Sequence, residues 1–238
     1  MRWSHATEIG RVRQVNEDYV CICPKIGFFA VADGMGGHQA GEVASKFALQ
    51  ELKRFLYASL DGCADAGAVL AEGVQEANRL VYQRSLNYPG CQGMGTTLSC
   101  VVIEDRQLYL AHVGDSRIYL LYEGSITQVT EDHSVVQEML KNGGITGEQA
   151  KCHPYRHVLT RALGIKPLVA VDTSRLTLRP REIVLLCTDG LSSFLDENEL
   201  CRIIYKYADL DQAVRSLVNL ALFRGGTDNI SVVLVALD

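Results

Sequence analysis

The chain has 238 residues, of which 47% are hydrophobic and 21% charged, and a formal net charge of −5. That length fits one large domain with a sizeable core. The acidic balance speaks against a nucleic-acid surface, which needs a basic stripe to neutralise phosphates, and no apolar run approaches the ~20 residues that span a bilayer.

Trp3 to Ile9 and Asp18 to Cys23 read as strands flanking a connection dense in charge, with Arg11, Arg13, Glu17 and Asp18. The charges from Arg2 through Asp18 also exclude a signal peptide's apolar segment. Residues 26–32 contain Phe28-Phe29-Ala30-Val31-Ala32, the continuous apolar run of a strand buried on both faces. The run stops at Asp33. Gly34-Met35-Gly36-Gly37 then lets the backbone approach a ligand closely, and His38 follows.

Helical spacing appears over about 40–58 and 66–86, the second segment with Leu70, Val74, Ala77 and Val81 on one face. From Met94 to Val129 the pattern is that of an antiparallel meander. Its strands are Thr96 to Ile103, Gln107 to Val113, Ser116 to Tyr122 and Ile126 to Val129, joined by Glu104-Asp105-Arg106, Gly114-Asp115 and Glu123-Gly124. Residues 131–166 are polar, hold three of the six histidines and contain two short helix-like pieces, which predicts an insertion lying over the body of the fold.

Strands resume at Leu168 to Leu178 and Glu182 to Cys187. Helices follow near 196–207 and 210–223, and Ile230 to Leu237 is a last strand. This order points to an α+β layered domain rather than alternating βαβ units. The eight cysteines are scattered with no Cys-x-x-Cys pair, and Cys100 and Cys187 lie inside strand-like runs, so reduced thiols in a cytoplasmic protein are expected.

Several signatures fail on inspection. No lysine is followed by Ser or Thr, so there is no phosphate-binding Gly-Lys-Ser/Thr loop. Cys100 and Arg106 have Cys-x5-Arg spacing, but no glycines between them to cradle an anion. His153 and His157 have H-x3-H spacing, yet Pro154 interrupts them and no cysteine pair accompanies them, which argues against zinc.

A repeated pattern survives. Asp33, Asp115, Asp189 and Asp228 each border an apolar β-run beside a small residue, in Ala-Asp-Gly, Gly-Asp-Ser, Thr-Asp-Gly and Thr-Asp-Asn. Two readings suit them: ordinary turns, or a site where they converge. Two carboxylates ~4 Å apart repel by about 4 kcal/mol at an effective dielectric near 20. Three or four ionised together therefore require cations, and an all-oxygen ligand set selects Mg²⁺ or Mn²⁺.

Arg13-x-x-Asn16-Glu17-Asp18, Ala32-Asp33-Gly34-Met35-Gly36-Gly37-His38, Gly95-Thr96-Thr97, His112-Val113-Gly114-Asp115-Ser116-Arg117, Thr188-Asp189-Gly190 and Asp228-Asn229 occur in this order from about residue 5 to 237. Together they resemble the bacterial metal-dependent type-2C serine/threonine protein phosphatases. The resemblance implies a single catalytic domain over 1–238 with a flap at about 131–166. Its fold would be a four-layer αββα sandwich, two central antiparallel sheets flanked by helices on both faces.

It further implies two Mn²⁺ or Mg²⁺ ions at one end of the sandwich. Asp33 would bridge them, the Gly34 carbonyl would bind one, Asp189 and Asp228 would hold the other, and Asp115 would serve a third, weaker ion. Glu17, Asp18 and Asn229 would stand around these ligands, the two carboxylates acting through water. Arg13 would grip the substrate phosphate and His38 would be the general acid. Hydrolysis of phosphoserine or phosphothreonine would use metal-activated water, with no phosphoenzyme intermediate. The implied setting is a cytoplasmic monomer that acts on phosphoproteins and opposes a serine/threonine kinase, with no nucleic-acid or membrane partner. The competing readings are a metal-dependent phosphodiesterase or nuclease, and a non-catalytic phosphoprotein-binding pseudophosphatase.

Overall fold

The structure is a computed structural model that describes residues 1–36, 40–62 and 65–237. Two antiparallel sheets lie face to face. One has the strand order β1 (Arg2–Glu8), β11 (Ile230–Ala236), β10 (Ile183–Cys187), β7 (Arg117–Tyr122) and β8 (Ser125–Gln128). The other runs β2 (Asp18–Cys23), β3 (Phe28–Met35), β5 (Leu98–Glu104), β6 (Gln107–Val113) and β9 (Asp172–Thr177), with β4 (Gly95–Thr96) pairing the far end of β3. β11 is rich in β-branched residues and buried along its whole length, as a strand flanked on both edges should be.

Burial explains why these strands read as continuous apolar runs. In β3, Phe29 and Val31 point into the space between the sheets, where they join Val101 and Leu108 and meet Ile118, Val184, Leu186, Val233 and Val235 of the opposite sheet. Phe28, Ala30 and Ala32 point the other way, onto α1 (Ala40–Ser59) and α2 (Ala66–Asn87), through Ala44, Ala48, Leu52, Leu70, Val74 and Val81. The outer face of the first sheet, with Tyr119, Leu185, Val232 and Leu234, is covered by α5 (Asp189–Ser192), α6 (Glu197–Lys206) and α7 (Leu210–Phe223). The architecture is therefore the α+β, four-layer αββα sandwich that the motifs implied.

Local chemistry fixes the helix starts. The Asp65 carboxylate accepts from the N–H groups of Gly67 and Ala68 at 2.9 and 3.1 Å, and Asp196 with Glu199 forms a capping box on α6. The seven described cysteines are all free thiols.

Four boundaries depart from the sequence expectation. β3 does not stop at Asp33 but continues through Gly34 to Met35, because β4 supplies a partner: Gly34 pairs with Thr96 and Met35 with Gly95. The strand expected over 96–103 is broken at Thr97, whose N–H and hydroxyl both bond to Asp33. The strand expected from Leu168 begins only at Asp172.

The fourth concerns the segment between β8 and β9, which holds α3 (Val135–Lys141) and α4 (Gly147–Lys151) and does not lie wholly over the body. On its return leg Leu163 is fully buried in the α1–α2 core and bridges Thr96. Asn78 on α2 holds that leg by accepting from the Gly164 N–H and donating to the carbonyls of Lys166 and Pro167.

Phe29 is fully buried between the sheets and tilts against Trp3 of β1 at 6.2 Å between ring centroids. Phe29→Ala should therefore cost about 3–5 kcal/mol of unfolding free energy. Urea denaturation checks this, and a loss below about 1.5 kcal/mol would mean that the two sheets do not depend on this contact.

Candidate active site

The chain brings five carboxylates to one end of the sandwich. Asp18 opens β2 and is paired directly with Asp33 near the end of β3. Asp115 follows β6, Asp189 starts α5 straight after β10, and Asp228 precedes β11. Their mutual influence shows that they converge. The Asp33 carboxyl is pushed well above the usual carboxylate range, first by burial and then by the fields of Asp18, Asp189, Asp115 and Asp228. Asp115 rises to about 8, through burial and then the fields of Asp189 and Asp132, with Arg117 opposing. Burial also lifts Asp18 to about 7, although it accepts a hydrogen bond from the Thr188 hydroxyl at 2.8 Å. Glu17 is raised as well, mainly by burial, with Arg13 working against the shift.

These residues fit hard divalent cations. Oδ1 of Asp18 and Oδ1 of Asp189 are buried with no hydrogen-bond partner, a costly state for a carboxylate oxygen unless something binds it. Among the described residues, no three Asp, Glu, His or Cys side chains close into a ready-made cage. Few protein ligands per ion, completed by a backbone carbonyl and water, is the arrangement Mg²⁺ favours.

The backbone around the carboxylates is tightly built. The Asp33 N–H donates to the Thr97 hydroxyl at 2.9 Å, and the Asp33 carbonyl accepts from the Thr97 N–H at 2.8 Å and the Thr96 hydroxyl at 2.9 Å. Thr97 is in turn 2.7 Å from the hydroxyl of Ser116, the neighbour of Asp115. Gly34 is required by space: a Cβ there would collide with the carbonyls of Gly41 and Glu17. This close approach wedges the start of α1 against the end of β3 and leaves Gly34 at the pocket.

Arg13 lies on the loop between β1 and β2 that closes one side, and Asn229, directly before β11, holds that loop. Arg13 Nη2 lies 2.9 Å from Asp228 Oδ2, and its Nη1 is 4.0 Å from Glu17 Oε2. The Asn229 side chain is committed to the loop backbone, donating to the carbonyls of Ile9 and Val15 and accepting from the Glu17 N–H. Asn229 therefore shapes the loop that presents Arg13 and Glu17. His38, with Gly37, lies outside the described residues.

One residue near the pocket escaped the sequence reading. His157, considered there only for zinc, places Nδ1 3.6 Å from Asp189 Oδ2, and its pKa is raised chiefly by that contact. No local pattern announces this, since the pair is far apart in the chain and only the path of the 131–166 segment joins them.

Comparison with known proteins agrees with this geometry. Residues 3–139 match the family Protein phosphatase 2C. The chain is 37% identical over 237 residues to the serine/threonine phosphatase stp of Listeria monocytogenes serotype 4b, covering 98% of this chain and 94% of that protein. The crystal structure of the Mycobacterium tuberculosis serine/threonine phosphatase PstP/Ppp superposes with a TM-score of 0.92 at 36% identity, covering 100% of this chain and 98% of that one. A PstP catalytic domain in complex with two manganese ions gives a TM-score of 0.88 at 33% identity, covering 100% and 98% of the two chains.

The crowded carboxylates have a consequence for the metal-free protein. Each raised acid binds its proton more tightly folded than unfolded, so the stability it contributes is full below its unfolded value near 4 and is lost as pH rises through its folded value. With Asp18 at about 7 and Asp115 at about 8, that window runs from roughly pH 4 to 8. In the presence of a chelator, the melting temperature should fall from pH 5 to pH 8, and Asp33→Asn should flatten the fall. Added Mn²⁺ should stabilise the wild type more at pH 8 than at pH 5. A chelated protein whose wild-type and Asp33→Asn melting curves run parallel across this range would show that the carboxylates do not share one pocket.

Proposed function

The chain belongs to the protein phosphatase 2C family and is a metal-dependent protein serine/threonine phosphatase, and we propose that the acidic end of its sandwich is where phosphoserine and phosphothreonine are hydrolysed. The observation that carries this placement is the buried convergence of Asp18, Asp33, Asp115, Asp189 and Asp228, with two orphaned carboxylate oxygens and a guanidinium beside them.

In this reading Asp33 with the Gly34 carbonyl, and Asp189 with Asp228, hold two divalent ions, and Asp115 serves a third, weaker one. Mn²⁺ or Mg²⁺ suits the oxygen donors. When bound, the ions supply a water nucleophile near neutral pH and offset phosphoryl charge. Glu17 and Asp18 would act on the ions through water, and Asn229 through the loop it fixes. Arg13 turns its fork from Asp228 onto two phosphoryl oxygens, a geometry that planar guanidinium matches. The P–O bond to the serine or threonine oxygen breaks as the water oxygen bonds to phosphorus. His38 gives the leaving alkoxide its proton, a role suited to a group with an ordinary pKa near 6.5. The products are inorganic phosphate and the free hydroxyl.

The substrates are phosphorylated proteins. A serine/threonine kinase as the opposing enzyme, a monomeric state and a cytoplasmic location complete the proposal, as does a single catalytic domain over 1–238 with 131–166 as its flap. Among the described residues no helix is long and apolar enough to cross a membrane.

The test is phosphate release from a phosphothreonine peptide with Mn²⁺, beside a nucleic-acid substrate. Turnover of the peptide alone, abolished by chelator and by Asp33→Asn, is expected. Full activity of Asp33→Asn would remove the carboxylate pocket from the reaction. Arg13→Lys keeps the charge but loses the fork, so it should raise KM for the peptide and weaken inhibition by inorganic phosphate. Unchanged constants would leave Arg13 with no part in holding the phosphoryl group.

A further inference from the structure

Thr188 follows β10 and stands at the N-terminus of α5, where a threonine hydroxyl ordinarily accepts from an N–H of the first turn. Here it makes no such bond. The residue is fully buried and its hydroxyl is committed elsewhere. Oγ1 accepts from the Ser231 N–H at 3.0 Å and donates to Asp18 Oδ2 at 2.8 Å. Thr188 and Ser231 sit side by side at the end of the first sheet, the Thr188 N–H donating to the Ser231 carbonyl at 3.1 Å, whereas Asp18 opens β2 of the second sheet. The hydroxyl therefore ties the two sheets together at the acidic end.

The same group of side chains holds the Asp18 backbone. Its N–H donates to Asn16 Oδ1 at 3.1 Å, and Asn16 Nδ2 donates to Thr7 Oγ1 at 2.9 Å. The Ser231 hydroxyl donates to that same Thr7 oxygen at 2.9 Å, and the Ser231 N–H leads back to Thr188. The bonds close a ring through Asp18, Asn16, Thr7, Ser231 and Thr188, in which only one carboxylate oxygen takes part. The other, Oδ1, is buried with no partner, on a residue directly opposite Asp33. The last torsion of an aspartate is broad, so the rotamer alone does not decide which oxygen faces which way. A fixed donor on Oδ2 does.

We propose that Thr188 is a positioning residue for Asp18, its hydroxyl holding Oδ2 against the opposite sheet so that Oδ1 is the oxygen kept for the site. This rests on the reading of Asp18 as a carboxylate that acts on the ions through water. Oδ1 is then the acceptor for such a water, held in one orientation before any ion arrives. A threonine that begins a helix without capping it is explained by the same assignment: its one proton serves Asp18 rather than α5.

The test is a double-mutant cycle read by Mn²⁺ calorimetry, with thermal melting in chelator as the check of folding. Thr188→Val keeps the shape of the side chain and removes the donor, while Thr188→Ser keeps the donor. Asp18→Asn puts an amide where the carboxylate stood. Thr188→Val should weaken Mn²⁺ binding roughly tenfold or more, as loss of a residue that orients a ligand's support does, and Thr188→Ser should bind as the wild type. Asp18→Asn should weaken binding as well, and adding Thr188→Val to it should cost nothing further, because a residue that acts through Asp18 has nothing left to position.

Wild-type Mn²⁺ binding by a folded Thr188→Val would overturn the inference. Additive losses in the double variant would do the same, by making Thr188 a general support of the neighbouring Asp189, as would equal losses in Thr188→Val and Thr188→Ser. Should Thr188→Val fail to fold, Thr188→Ala is compared with Thr188→Ser by the same criteria. Asp18→Asn separates the two levels of failure. If it binds Mn²⁺ as the wild type does, the reading of Asp18 falls and the inference with it. If it weakens binding while Thr188→Val does not, only the inference falls.

Discussion

Like-charge repulsion at the end of a stiff sandwich governs the rest of this structure. Asp18 and Asp33 stand directly opposite each other on paired antiparallel strands, a position where like charges destabilise a sheet. Asp115, Asp189 and Asp228 press on the same volume. Such a cluster persists only where the surrounding backbone is over-determined. Here that is achieved by β2, β3 and β5 with Phe29, Val31 and Val101 packed between the sheets, and by the Thr96–Thr97 hydroxyls that bracket Asp33. The tightness of Gly34 against Gly41 belongs to the same construction, since it joins the first helix to the acidic strand without room for a methyl group.

Much of this was legible in the sequence, and the reason is locality. A buried strand that ends in an aspartate followed by glycine is a pattern within one short stretch, and the apolar periodicity of α1, α2, α7 and β11 is equally local. What a local pattern cannot hold is the partner. β3 runs on through Asp33 and Gly34 because Gly95 and Thr96 come alongside from beyond two intervening helices. The 96–103 strand breaks at Thr97 because that residue turns both its N–H and its hydroxyl to Asp33.

The same holds around the pocket. Asn229 was legible as part of a motif, but not as the clamp of the 9–17 loop, since its three partners lie at the opposite end of the chain. His157 carried only a misleading spacing to His153. Its approach to Asp189 depends on a return leg anchored by the burial of Leu163 and by the carboxamide of Asn78. The polar composition of 131–166 suggested a segment lying over the body, because one buried leucine and one remote asparagine leave little mark on composition.

Arg13 shows how such a pocket can be both tightly held and ready to change partners. Its ion pair with Asp228 is a single 2.9 Å contact, and the arginine side chain is 47% exposed and the aspartate 27%. Pairs this open to solvent are worth about 0–1 kcal/mol. Exchange of Asp228 for a phosphoryl group therefore costs little, and a dianionic phosphate offers the fork two oxygens and more charge in return. In the proposed cycle the weak, exposed pair is thus the part of the acidic end that changes partners, and the buried carboxylates are the part that does not.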